Sequence, residues 1–453
     1  MKIMGRIALI GDNSVEYVKR LFDIWNNGDC AVLIDWRIPF ETAYQMMLEA
    51  GVQKCFIETH LLENRSLYEY SCVSFVTYDV ADDNPHLLPN NVRCQYFENR
   101  SSNEAVIIYS SGTTGKSKGI ILSHYAITTN ADAIIDYMKL DPNDCLYIIR
   151  SLSHSSTLTG ELLVSIRARI DVVLAPTVKL PRYILDNINK LSVTILCLNP
   201  KLLKLVCDEF KIRQYDISSI RTIYCSGSVL SNRVYLYACE IFANINIYNM
   251  YGLTEAGPRV SAKTAECLKN NSVGKVIKGV EVAIVNDKGE LIKNGEHGII
   301  HVNTLSRYNG YVSGEEKHVS LYKGWLNTGD IGYIDQYEEL HVVCRMDNVI
   351  NIDSHKVYPE SIEQRILELH EVRDCVVGKI DNEDRELIGC LYVSDKLCSL
   401  DIIKKLEETM ANYEIPKIYL KVDSIPRNIN GKIDRATVSM ILSKSLEKKE
   451  LKK

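Results

Sequence analysis

The chain has 453 residues, 46% of them hydrophobic and 25% charged, and a formal net charge of −5. That balance fits an ordinary globular protein of about three units, or one large domain and one small one. It argues against a nucleic-acid binder, and no apolar run reaches the roughly 20 residues that cross a bilayer.

Residues 7–10 (IALI) read as a buried strand. Asp12 and Asn13 are cap-type residues ahead of a helix in which Val15, Val18, Leu21, Phe22 and Trp25 recur at near-helical spacing. A strand at 31–35, a helix at 41–50 and a strand at 55–58 complete a β-α-β-α-β order, which predicts a parallel sheet with crossover helices. The strand at 105–109 runs into "YSSGTTGKSKGI" (Tyr109–Ile120). Strands at 172–175, 194–198 and 222–225 each precede a helix-like segment. Around 273–345 the texture changes to short strands, with a turn at Asp287-Lys288-Gly289. Beyond residue 346 a helix at 361–369, strands at 375–380 and 387–393 and a helix at 400–410 suggest a small α+β unit. The end, "SKSLEKKELKK", carries five lysines against two glutamates and is expected to fray.

The N-terminus meets a polar turn too early for a signal peptide. No two of the 14 cysteines have C-x-x-C spacing, which argues against a zinc ribbon or redox pair. Cys30, Cys55, Cys197, Cys225 and Cys390 stand in apolar surroundings, as reduced thiols of a cytoplasmic protein would.

The segment after Tyr109 has the composition of an anion nest. Glycines leave backbone N–H groups accessible, Ser110, Ser111, Thr113 and Thr114 supply hydroxyls, and Lys116 and Lys118 add charge. Gly115-Lys116-Ser117 also matches the end of a P-loop, but the first glycine of that pattern would have to stand at Ser110. A solvent-exposed turn, a P-loop and a different triphosphate loop all remain open on this segment alone.

Four further segments narrow the choice: "CSGSVLS" (225–231), "NMYGLTEAGPR" (249–259), "LNTGDIGYID" (326–335) and "PRNINGKIDR" (426–435). With the first, in this order, they resemble the adenylate-forming (AMP-binding) superfamily of acyl-CoA synthetases, adenylation domains and firefly luciferase. The likeness extends from about residue 7 to residue 435.

The resemblance implies an α/β fold: parallel-sheet βα subdomains and a small β-barrel-like portion, followed by a small mobile α+β domain. The boundaries expected are 1–345 for the large adenylation domain, 346–440 for the domain carrying the catalytic lysine, and 441–453 for a charged tail. It implies ATP and Mg²⁺, with Ser110, Ser111, Gly112, Thr113, Thr114, Gly115 and Lys118 on the phosphates. Thr254 and Glu255 would hold phosphate and metal. Gly227, Ser228, Asn249, Tyr251 and Gly252 belong to the nucleotide site, Asp330 would hold the ribose, and Arg345 is a second nucleotide contact. His154 matches the gate of the acyl pocket and Asp347 the interdomain hinge. Lys432 would reach the reacting centre. The reaction implied joins a carboxylic acid to the α-phosphate of ATP and expels pyrophosphate. Coenzyme A, or the phosphopantetheine of an acyl carrier protein, would then take the acyl group as a thioester. The acid is ionised at neutral pH, so no general base is needed; alignment and positive charge suffice.

Departures from the pattern touch mainly the thioester half. Ser117 replaces a proline, Cys344 a glycine, Asn351 a lysine, and Ser354 a glycine that lines the pantetheine tunnel. The chain also begins almost at its first core strand. No acidic residue stands beside His154 in sequence, which speaks against an α-amino acid. The alternatives are an adenylation domain serving a carrier protein only, a P-loop-type phosphotransferase, which would release ADP, and a luciferase-like oxygenase.

Overall fold

The computed structural model describes residues 4–62, 70–82, 84–96, 98–111, 117–177, 180–264, 267, 270, 272–314, 320–352, 355–382, 385–427 and 433–450. The first helix, Val15–Asn26, is capped by Ser14 rather than by Asp12 or Asn13. Ser14 has the extended backbone an N-cap needs (φ −153°, ψ 162°), and its Oγ accepts from the Tyr17 N–H at 3.0 Å. The helix buries Tyr17, Val18, Leu21, Phe22, Ile24 and Trp25. Asp12 and Asn13 reach across to other segments instead. Asp12 accepts from the Thr177 N–H at 2.9 Å, and Asn13 Nδ2 donates to the carbonyls of Arg150 and Ala175 at 2.9 and 3.0 Å.

The first sheet has seven strands in the order Gly310–Tyr311, Ser117–Ser123, Glu104–Ser111, Cys30–Asp35, Arg6–Gly11, Lys54–Glu58, Ser74–Tyr78. The five from Glu104–Ser111 onward are parallel, and the first two add an antiparallel edge. The second sheet has eight strands, with Asn246–Tyr251, Thr222–Cys225, Ile195–Leu198, Cys145–Ile148 and Asp171–Leu174 parallel at its centre. Helices cover both faces of such sheets, which is why strands like CAVLID and CLYI are apolar without alternation and buried throughout. The five cysteines named above are all buried.

The portion expected to resemble a barrel is a four-stranded antiparallel sheet: Val280–Val285, Gly298–Thr304, Leu326–Ile334 and Leu340–Arg345. No closed barrel occurs among the described residues, and four strands are too few to curl around a filled interior.

Beyond it, Val372–Asn382, Arg385–Ser394 and Ile418–Lys421 form a three-stranded sheet. Alternation divides its side chains between two cores. Cys375, Val377 and Cys390 pack with Ile362, Ile366 and Ile402 of the helices Pro359–Leu367 and Ser399–Glu407. Val376, Ile380 and Leu391 pack with Val438 and Leu442 of Arg435–Glu450. The charged end expected to fray is therefore helical as far as Glu450.

Arg233 joins the small sheet's helices to the rest of the chain. Its Nη1 donates to the carbonyls of Leu367, Leu369 and Val372 at 3.1, 3.3 and 2.7 Å, and its Nη2 to that of His370 at 3.1 Å. These carbonyls lie at and just beyond the negative end of the helix Pro359–Leu367, where a cation is favoured. Among the described residues no helix is long and apolar enough to cross a membrane.

Candidate active site

Two antiparallel strands flank the glycine-rich segment. Glu104–Ser111 pairs with Ser117–Ser123, placing Ser110 opposite Lys118 and Ser111 opposite Ser117. A P-loop passes from its strand directly into a helix at Lys-Ser. Here Ser117 begins a strand, and the helix His124–Met138 starts only after it. The P-loop geometry is therefore absent. Gly112, Thr113, Thr114 and Gly115 lie outside the described residues, as do Ser354 and Lys432.

The edge strand Gly310–Tyr311 pairs with the hairpin and brings three groups into one row. Lys118 Nζ lies 5.4 Å from the centroid of the Tyr311 ring, and Tyr311 Oη donates to Glu255 Oε1 at 2.9 Å. Burial, with the Glu255 charge second, pushes the Tyr311 phenol upward, so it stays protonated and donates. The Tyr308 N–H holds the Glu255 carbonyl at 2.9 Å.

Glu255 and Thr254 belong to a single turn, Thr254–Ala256, and Thr254 Oγ1 meets Ser155 Oγ at 2.9 Å. Gly252 lets this turn fold back closely: a Cβ there would stand 1.8 Å from the Pro258 carbonyl oxygen. No group of three or more His, Cys, Asp or Glu that could hold a metal occurs among the described residues. Glu255 thus offers Mg²⁺ one carboxylate, held at Oε1 by Tyr311. That fits a hard cation that takes few protein ligands and would keep several waters.

A second cluster adjoins the first through Tyr251. Its hydroxyl donates to Asp330 Oδ2 at 2.5 Å, while Arg345 Nη1 donates to Asp330 Oδ1 and to the Thr328 carbonyl, both at 3.0 Å. The register that sets Asp330 opposite Arg345 in neighbouring strands makes this pair. Burial, then the Asp330 charge, holds the Tyr251 hydroxyl well above its ordinary pKa. Asp330 is thereby fixed in orientation, with lone pairs remaining on both oxygens.

Asn249 is buried, and its Nδ2 donates to the Ser272 carbonyl at 3.2 Å. Gly227 and Ser228 form an exposed rim beyond Thr222–Cys225; Gly227 has φ +99°, which L side chains rarely adopt. His154 Nε2 lies 3.7 Å from Asp35 Oδ2, so an acid stands beside it in space although none does in sequence. Asp35 is already paired with Arg37 at 2.5 Å, and that pairing outweighs burial to hold its carboxyl low. Asp347 is exposed in the short turn Met346–Asn348, and Cys344 is buried.

Sequence reasoning did not find Tyr311 or Ser155. Tyr311 is 56 residues from Glu255, and Ser155 is 99 from Thr254. Neither belongs to a motif that names its partner, so only the folded chain pairs them.

Comparison with known proteins shows the family and the fold. The family model described as AMP-binding enzyme matches residues 3–312. A 4-coumarate–CoA ligase of Humulus lupulus is 28% identical over 72% of this chain and 62% of its own length, so the match spans less than two thirds of that relative. An indoleacetate–CoA ligase of Aromatoleum aromaticum is 25% identical over 97% of this chain and 88% of its own. ATP-bound MatB from Rhodopseudomonas palustris superposes with a TM-score of 0.86 at 20% identity, covering 98% of this chain and 90% of that one, and so shares its fold.

Proposed function

The chain belongs to the AMP-binding enzyme family, and from that premise we propose that it is an AMP-forming acid–thiol ligase. A carboxylate oxygen of a small acid attacks the α-phosphorus of ATP, the bond to the β-phosphate oxygen breaks, and pyrophosphate leaves. A thiol then attacks the acyl carbonyl and AMP departs. The observation that carries this reading is the row Lys118, Tyr311, Glu255 beside the Tyr251–Asp330–Arg345 cluster.

The residues take the following roles on this reading. Ser110, Ser111, Lys118 and the segment 112–115 grip the phosphates, and Thr254 orients them. Glu255 would hold Mg²⁺, which supplies positive charge to the departing pyrophosphate. Asp330, locked by Tyr251 and Arg345, accepts from the ribose hydroxyls. Gly227, Ser228 and Asn249 border the base. His154 closes the entrance of the acyl pocket. Lys432 brings charge to the reacting centre from the domain beginning at residue 346, with Asp347 at the hinge.

Coenzyme A is the acceptor favoured by the relatives that are CoA ligases; carrier-bound phosphopantetheine is the second reading. The test is incubation with ATP, Mg²⁺, hydroxylamine and a panel of aliphatic, aryl and amino acids. AMP and pyrophosphate with an acid hydroxamate are expected, and ADP would refute the proposal. Replacing hydroxylamine by coenzyme A or by a holo carrier protein identifies the acceptor.

A further inference from the structure

Directly behind the turn that carries Thr254 and Glu255 lies a buried group of charges with no part in the roles above. Arg150 donates through Nε to Glu161 Oε1 at 3.1 Å, with Nη2 on the same oxygen, and through Nη1 to Ser226 Oγ at 3.2 Å. Glu161 is 1% exposed and Arg259 3%. The Arg259 guanidinium lies against Gly160, where a Cβ would stand 3.2 Å from its Nη2. Its charge reaches both Glu161 and Tyr137.

Arg259 Nε, Glu161 Oε2 and Thr157 Oγ1 are buried here with no hydrogen-bond partner among the described residues, while the Tyr137 hydroxyl lies beside the Arg259 guanidinium. No carboxylate of the described residues forms an ion pair with Arg259, whereas Arg150 takes Glu161 through two nitrogens. The group therefore holds two guanidiniums against one carboxylate, with Arg259 and Glu161 almost wholly out of water and the Arg150 side chain 12% exposed. Burying an uncompensated charge is costly, and such sites are filled by a counter-charge.

The surrounding segments are those of the candidate site. Arg150 is four residues before His154, Ser226 immediately precedes Gly227, and Arg259 is four residues beyond Glu255.

On the ligase reading given above, we propose that Arg259 anchors a second carboxylate at the far end of the substrate, so that the acids activated are dicarboxylic. One further negative charge neutralises the group. The planar guanidinium suits a carboxylate, which it can hold through two parallel N–H donors. A monocarboxylic acid of the same length would leave Arg259 buried with only a share of Glu161 and the Tyr137 hydroxyl, and a site built this way rejects such an analogue strongly.

The experiment compares straight-chain diacids with monoacids of equal length, reading AMP release with hydroxylamine and calorimetric binding of the free acid without ATP. The wild type should favour its best diacid by at least about 100-fold in kcat/KM. Arg259→Leu should lose the diacid by a similar factor and gain the monoacid, a gain that also shows the variant is folded. Should that variant not fold, Arg259→Lys, which keeps the charge but not the fork, should lose about tenfold on the diacid. Preference for monoacids in the wild type, or a diacid-to-monoacid ratio unmoved in the folded variants, would overturn the anchor. Diacid binding that depends on Arg259 without AMP from any acid would overturn the ligase reading and leave the anchor standing.

Discussion

Tyr311→Phe tests whether the row from Lys118 to Glu255 acts as one device. The substitution removes only the hydroxyl that donates to Glu255 Oε1 at 2.9 Å. The ring stays in its buried place under Lys118. A hydrogen bond to a charged group is worth about 2 kcal/mol, or about 30-fold in an equilibrium or rate. Without it, Glu255 can turn away from the position in which it would meet Mg²⁺. The expected result is a fall of about 30-fold in pyrophosphate exchange at limiting Mg²⁺, partly recovered as Mg²⁺ is raised. Thermal stability should change little, because the packing is retained. If exchange and its Mg²⁺ dependence stay within about twofold of wild type while Glu255→Gln is inactive, Tyr311 does not position Glu255 and the reasoning fails.

Lys432→Ala should lower adenylate formation by orders of magnitude while calorimetry still finds ATP bound; near-normal pyrophosphate exchange would remove Lys432 from the chemistry. Arg233→Ala takes away four bonds to the end of the helix Pro359–Leu367. Limited proteolysis near Asp347 should then be faster at an almost unchanged melting temperature, and an identical cleavage rate would show that the contact does not restrain the small domain. Glu363 is pushed from 4.5 up to about 7, chiefly by burial, although Arg435 opposes the shift. A raised folded-state pKa stabilises the fold fully below the ordinary value, and that contribution is lost as pH rises through 7. Denaturant unfolding should show stability falling over that window. Glu363→Gln should flatten the profile; a flat or rising wild-type profile would contradict the assignment.

Local pattern carried much of this protein. Apolar runs marked strands buried on both faces, such as Cys30–Asp35 and Cys145–Ile148. The order of strands and helices implied parallel sheets, and the five motifs pointed to the family and to Glu255, Asp330 and Arg345. Those inferences depend on side-chain periodicity and on neighbours within a few residues, both of which the sequence contains. Details of capping were less secure. Asp12, Asn13 and Ser14 are all competent caps, and the choice of Ser14 depends on distant carbonyls at Arg150 and Ala175 that engage Asn13. The tail looked frayed because its charges are plain in sequence, whereas the cover it gives to Val376 and Leu391 through Val438 and Leu442 is not.

Tertiary structure alone decided what the glycine-rich segment is and which groups face one another. Ser117 starts a strand because it pairs with Ser111 of the preceding strand, and that cross-strand pairing is what excludes a P-loop. Tyr311 meets Glu255 because an edge strand joins the hairpin, and Asp35 meets His154 because two sheets are stapled together. Arg259 was visible in its motif from the start, but its meaning depends on being buried where Arg150 already takes the one nearby carboxylate, Glu161. Burial and pairing are properties of the packed chain, since they depend on residues brought together from far along it.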